Sequence, residues 1–234
     1  MKHWIVFCSE HEGGSAAMEV SEKNRKHQIL IIGDNEVAPY HPLEAVKDEL
    51  SDIFSPFGSL QFSTDEHAFG LLDTSVYHLC ISYIDRWKKE MPKEDLNRLK
   101  TYLQNGGRIL VLHNGLSYQE NSEFAAVTGA RFTGHPPRQP LLFTAAAETI
   151  VNNAYAAFTM NEEPYQFAFS EDADSEYFLY YTMNGKKYPA GWIRRPEGKG
   201  IVMYVMPGHD KQSFRDGTYA DMLRGYVSCL FHES

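Results

Sequence analysis

Apolar positions along the first half of the chain fall into two alternating patterns. Ile29 to Ile32 form an unbroken apolar run that ends in Gly33, as expected of a strand buried on both faces of a parallel sheet. Leu43, Val46, Leu50, Ile53 and Phe54 then recur at the spacing of one helix face. Leu60 to Phe62 and Tyr77 to Ser82 predict a second and a third strand. Pro92 is placed to open a helix lined by Leu96, Leu99 and Leu103, which Gly106 and Gly107 would stop. Arg108 to His113 is the next buried strand. Strand and helix alternating at these intervals predict right-handed crossovers and a mostly parallel sheet.

The second half changes to short aromatic or β-branched runs: Leu141 to Thr144, Phe167 to Phe169, Tyr177 to Met183, Tyr188 to Arg194 and Gly200 to Met206. Asn184-Gly185 between two of them is a strong hairpin signal. Tyr219, Met222, Leu223, Tyr226, Val227 and Leu230 mark a closing amphipathic helix. The pattern is that of an α/β protein, a parallel sheet extended by antiparallel hairpins, forming a single domain over residues 28–234. Residues 1–27 lack a sustained period and read as an extra strand, from Trp4 to Cys8, or as a flexible leader.

Composition narrows the function classes. The 234 residues suit one domain with decorations, and 43% hydrophobic residues suffice for a sizeable core. Twenty-two basic against 31 acidic residues leave a formal charge of −9, the wrong sign for general nucleic-acid binding. No apolar run approaches the ~20 residues of a membrane-spanning helix, so no membrane partner is expected. Cys8, Cys80 and Cys229 are too few and too widely spaced for a disulfide scaffold or a zinc ribbon. They read as reduced thiols of a cytoplasmic protein.

Candidate chemistry belongs where parallel strands end, because loops and helix N-termini gather there. His41, His113 and His209 each fall in such a loop. Imidazole suits proton transfer near neutral pH and is also a common zinc ligand, although a strand-end histidine alone is more often a loop cap. Glu162 and Glu163 precede Pro164; Glu163 is the better candidate to face the crevice, because the proline stiffens its loop. Asn114 and Ser117 follow the strand that ends at His113, where Ser117 would cap or turn. No glycine-rich dinucleotide or phosphate motif follows the first strand, and no Gly-x-Ser-x-Gly elbow occurs. No cofactor is indicated. Zinc is compatible with the residues only if separate loops supply its ligands.

In their order, these pieces resemble the ThuA-like (trehalose-utilisation) family, which has the class I glutamine amidotransferase-like fold. The resemblance runs from about Gln28 to Leu230. It is carried by Tyr40-His41-Pro42, the Asn105 to Arg108 turn before the His113 strand, Asn161 to Phe167, Tyr188 to Trp192, Gly198 to Tyr204 and Pro207 to Asp210. It implies a flavodoxin-like three-layer α/β sandwich with a pocket at the strand ends and a role in sugar metabolism. His41, His113, Glu163 and His209 then fall on pocket positions, with Tyr165, Trp192 and Asn114 as substrate-binding neighbours. Two departures stand out. Family members often carry a Trp-Gly-His type stretch after the third strand, where this chain reads Ile81 to Trp87, and this counts against a metal or the retained family activity. Where the broader fold places a nucleophilic cysteine, this chain has His113-Asn114, so glutamine hydrolysis is not expected.

The leading expectation is acid/base chemistry on a small sugar or keto-sugar glycoside. The alternatives are a non-catalytic sugar-binding or sensing module and a zinc-dependent hydrolase. A sheet edge in the hairpin half and the aromatic excess suit a homo-oligomer and a monomer's core equally.

Overall fold

A computed structural model of the protein describes residues 27–38, 40–120, 122–146, 156–169, 174–196 and 198–232. The segment read as an extra strand or leader lies outside these residues, apart from His27. The first strand, β1, spans His27–Gly33; β2 spans Gly58–Ser63, β3 Leu79–Tyr83 and β4 Arg108–Leu112. They are followed by β5 (Ala130–Gly134), β6 (Gln139–Ala145), β7 (Ala157–Glu162), β8 (Gln166–Phe169), β9 (Ser175–Met183), β10 (Lys186–Arg194) and β11 (Ile201–Val205). The helices are α1 (Lys47–Phe54), α2 (Lys93–Gln104), α3 (Ser122–Thr128), α4 (Lys211–Arg215) and α5 (Gly217–His232).

Nine strands form one sheet in the order β2-β1-β3-β4-β11-β10-β9-β6-β7. β2, β1, β3, β4 and β11 run parallel, and the remaining four continue antiparallel. This is the expected α/β architecture, a large sheet with parallel strands and antiparallel additions. Ile29 to Ile32 and all five residues of β3 and of β11 are buried, so both faces of the parallel half are covered. Each fully buried aliphatic chain of this kind contributes about 1.5–3 kcal/mol. Leu43, Val46, Leu50, Ile53 and Phe54 are buried as the spacing requires, but a 3-10 turn over Leu43–Ala45 precedes α1. Leu96, Leu99 and Leu103 of α2, and Tyr219, Met222, Leu223, Tyr226, Val227 and Leu230 of α5, bury the predicted faces.

The hairpin between β9 and β10 turns at Asn184 and Gly185, both with positive φ, 52° and 74°. This is the backbone that the Asn-Gly pair favours. Two strands were not anticipated: β7 lies at the sheet edge, and β5 pairs with β8 in a separate two-stranded ribbon. No helix among the described residues is long and apolar enough to cross a membrane.

In the strand order, β1 sits between β2 and β3, so the chain's direction across the sheet reverses there. Ligand sites of open α/β sheets lie beyond the carboxyl ends of the strands at such a reversal.

Candidate functional site

Each candidate side chain is placed by the loop at the end of a strand. After β1, Asp34 folds the chain back. Its Oδ1 accepts the backbone N–H of Glu36 and Val37, its carbonyl accepts the N–H of Leu43, and its Oδ2 receives Nε of Arg86 at 2.5 Å. The loop so closed carries His41 to the end of the sheet. After β3, Asn114 donates its side-chain amide to the carbonyls of Tyr83 and Ile84, and Ser117 donates to Ile84 while accepting the N–H of Arg86. These bonds fix the turn that presents Asp85. After β4, His113 adopts a left-handed backbone, φ 45°, uncommon for a residue other than glycine. After β11, Gly208 takes φ 141° and delivers His209. Glu163 directly succeeds β7.

The four side chains proposed from the sequence meet. Oε2 of Glu163 lies 3.2 Å from Nδ1 of His209, 3.4 Å from Nε2 of His113 and 4.0 Å from Nε2 of His41. Nε2 of His41 is 3.1 Å from Nδ1 of His209. One donor atom from each of the four fits within a mutual spread of 4.8 Å, and among the described residues this is the group able to hold a metal ion. The outward-facing nitrogens are anchored. Nδ1 of His41 lies 3.1 Å from Oδ2 of Asp85, and Nδ1 of His113 lies 2.7 Å from the carbonyl of Met206. His41 and His113 are sealed, whereas Glu163 and His209 remain partly open to solvent.

The electrostatics reflect this packing. Burial pushes the His41 imidazole below its usual pKa, only partly offset by Asp85. The hydrogen bond and charge of Glu163 hold His209 above its usual value against burial. Burial alone would raise the Glu163 carboxyl; His113 and His209 outweigh it and hold the group well below the ordinary carboxylate range.

Not every predicted neighbour belongs here. Trp192 is wholly buried, stacked on Tyr204 with its indole N–H donated to the carbonyl of Thr128. It is a core residue and presents no face for a sugar. Asn114 is likewise fully buried, and its amide hydrogens are used on the β3 turn; it shapes the site without reaching a substrate. Tyr165 does lie at the site as a wall, its ring 4.3 Å from that of His113 and stacked on His135 at 5.3 Å.

Three contributors escaped the sequence reading. Asp85 lies within the stretch Ile81 to Trp87, in which the sequence reading assigned no residue a role. Glu162, passed over in favour of its neighbour, is completely buried and accepts the N–H groups of Gly208 and His209 and the hydroxyl of Ser213. His135, after β5, places Nε2 3.8 Å from Oε1 of Glu163 while its Nδ1 meets the carbonyl of Pro136. Only adjacency in space reveals these roles.

The left-handed turn after β4 carries an imidazole, His113, and no thiol. Cys80 lies inside β3, and burial pushes its thiol far above the usual range, so it offers no thiolate for attack.

Solved structures share this architecture. A ThuA-like protein from Bacteroides uniformis ATCC 8492 superposes with a TM-score of 0.71 at 20% identity, covering 94% of this chain and 95% of that one. A second ThuA-like protein, from Parabacteroides merdae ATCC 43184, gives 0.71 at 15% identity over 88% and 90%. A cytoplasmic protein from Salmonella typhimurium LT2 gives 0.60 at 14% identity over 87% and 99%. At these identities the likeness establishes the fold alone. No curated protein sequence matches the chain. The family model described as ThuA, trehalose utilisation, matches residues 57–228, and with most of its length so matched the chain belongs to the ThuA family.

Proposed function

We propose that this chain is a carbohydrate-processing enzyme that performs acid/base chemistry on a small sugar or keto-sugar glycoside at the strand-end cluster. The observation that carries the reading is the convergence of three imidazoles and Glu163 on one point beyond the parallel strands. The family's description, trehalose utilisation, supports the substrate class, and the acidic charge balance disfavours nucleic acid. The Salmonella structure, described as cytoplasmic, supports a cytoplasmic setting.

A C–H bond beside a sugar's keto group becomes acidic when positive charge stabilises the oxygen as the proton leaves, which allows elimination or isomerisation. One of His41, His113 or His209 supplies a proton to that oxygen, and Glu163 orients the sugar or that histidine. The C–H proton passes to His135 at the partly open side; its Nδ1 meets the carbonyl of Pro136 and its Nε2 stands 3.8 Å from Oε1 of Glu163. Such proton transfer contributes roughly 10²–10⁴-fold.

The test is turnover of oxidised and unoxidised disaccharides by the purified protein, with products resolved by chromatography. Turnover lost in His113→Ala and Glu163→Ala supports the reading. No turnover by the wild type, or full turnover by both variants, overturns it. Heat of sugar binding without product would mark a binding module instead, the reading favoured by the altered stretch after β3.

A further inference from the structure

We propose that His41, His113, His209 and Glu163 together bind one divalent transition-metal ion. A carbonyl oxygen can only accept, so Nδ1 of His113, 2.7 Å from the Met206 carbonyl, carries the hydrogen. In the neutral ring Nε2 is then a lone pair, and it is buried without a hydrogen-bond partner. Asp85 accepts from Nδ1 of His41 in the same way, which makes Nε2 of that ring a second lone pair. Both point to where Oε2 of Glu163 and Nδ1 of His209 also lie. A single proton on His209 can serve His41 or Glu163, and it leaves His113 facing a carboxylate with no hydrogen between them. Unmet polar atoms in a low-dielectric site are costly. One cation between the four atoms satisfies them all.

The spacing agrees. Tetrahedral ligands bound to zinc at about 2.0–2.1 Å stand about 3.3 Å from one another. Four of the six edges here measure 3.1, 3.2, 3.4 and 4.0 Å, and none exceeds 4.8 Å. Three imidazoles and a carboxylate, with no thiolate, suit zinc and its divalent neighbours such as manganese and cobalt. Metal-bound histidines characteristically donate their other N–H to a carboxylate or carbonyl, and Asp85 and Met206 stand in those places. The departure after β3 therefore removes no ligand from this set; it contributes the residue that orients His41.

The ion's role, positive charge beside a sugar oxygen, rests on the function proposed above. Its binding rests on the geometry alone, and the experiment separates the two. Protein purified without a nickel column is analysed for elements, then stripped with chelator and titrated calorimetrically with zinc, manganese or cobalt chloride. One ion per chain is expected, with affinity lowered at least about 100-fold in His113→Asn and His209→Gln and unchanged in His67→Ala. Asparagine tolerates the left-handed backbone at position 113; should that variant fail to fold by circular dichroism, His209→Gln at the rim decides. Absence of saturable one-to-one binding to the wild type, or undiminished affinity in the folded variants, overturns the inference. Metal bound without sugar turnover defeats only the functional reading, and undiminished turnover by stripped protein defeats the ion's role.

Discussion

Asp85 fixes which nitrogen of His41 carries hydrogen: its Oδ2 lies 3.1 Å from Nδ1, and both side chains are buried. The carboxylate can only accept, so Nε2 is held as the lone pair that faces Glu163 and His209. In the wild type, ¹⁵N correlation spectra of the His41 ring should show the Nδ1–H tautomer. Asp85→Ala should return it to a mixture of tautomers and lower turnover or metal affinity about 10–100-fold. Asp85→Asn, whose amide oxygen still accepts, should keep more of the tautomer preference than Asp85→Ala. An unchanged ring in the alanine variant would remove Asp85 from the site.

Glu162 governs His209 through the backbone. Its buried Oε1 accepts the N–H of Gly208 at 3.1 Å and of His209 at 3.4 Å, and the hydroxyl of Ser213. Glu162→Ala leaves these donors without that acceptor, and an unsatisfied buried group costs about 1–3 kcal/mol. Urea unfolding should therefore show a loss of about 2–4 kcal/mol. Glu162→Gln retains an acceptor oxygen and should lose less than half as much. Equal losses in the two variants would show that charge, rather than these three bonds, is what Glu162 contributes.

The contrast between Glu163 and Glu162 shows how far the sequence could be read. His41, His113 and His209 could be placed because strand ends are legible: an apolar run such as Ile29 to Ile32 suits a buried strand, and the parallel layout dictates where its end points. Glu163 was singled out by the stiffening Pro164 and the family resemblance, since the strand before it was not legible. Asp85, Glu162 and His135 act through contacts between loops that lie far apart along the chain, and periodicity carries no trace of these. Trp192 was misplaced for a related reason, since an aromatic on a strand looks the same whether it faces a pocket or the core. The edge strand β7 was missed because alternate residues are exposed, and β5 because it belongs to a small ribbon outside the main sheet. The β9–β10 hairpin was legible because two adjacent residues carry the whole signal.

That hairpin yields a local prediction. Gly185 adopts φ 74°, and a side chain there costs about 1–2 kcal/mol against the left-handed backbone. Nothing lies within 4 Å of where its Cβ would stand, so backbone strain alone should set the effect. Gly185→Ala should lower the melting temperature by roughly 2–8 °C, taking about 2–4 °C per kcal/mol for a chain of this size, with sugar turnover unchanged. An unchanged melting temperature would mean that the turn relaxes to another type.

The ion pair beneath the β1 and β3 loops predicts a pH dependence. Burial would raise the Asp34 carboxyl, but the hydrogen bond from Arg86 and the backbone N–H groups of Val37 and Glu36 hold it below its ordinary value. A carboxylate depressed on folding binds its proton more readily in the unfolded chain. Its contribution is therefore fully present above the unfolded pKa of about 3.9 and is lost as pH falls through the lower folded value. Asp34→Asn should lower stability at neutral pH by about 3 kcal/mol, because Arg86 is left buried with its charge uncompensated. The same variant should lose less further stability than the wild type between about pH 4 and pH 2. Parallel acid limbs for the two proteins, followed by fluorescence during acid titration, would show that Asp34 titrates alike in the folded and unfolded chains and that the closed loop beneath His41 does not depend on its charge.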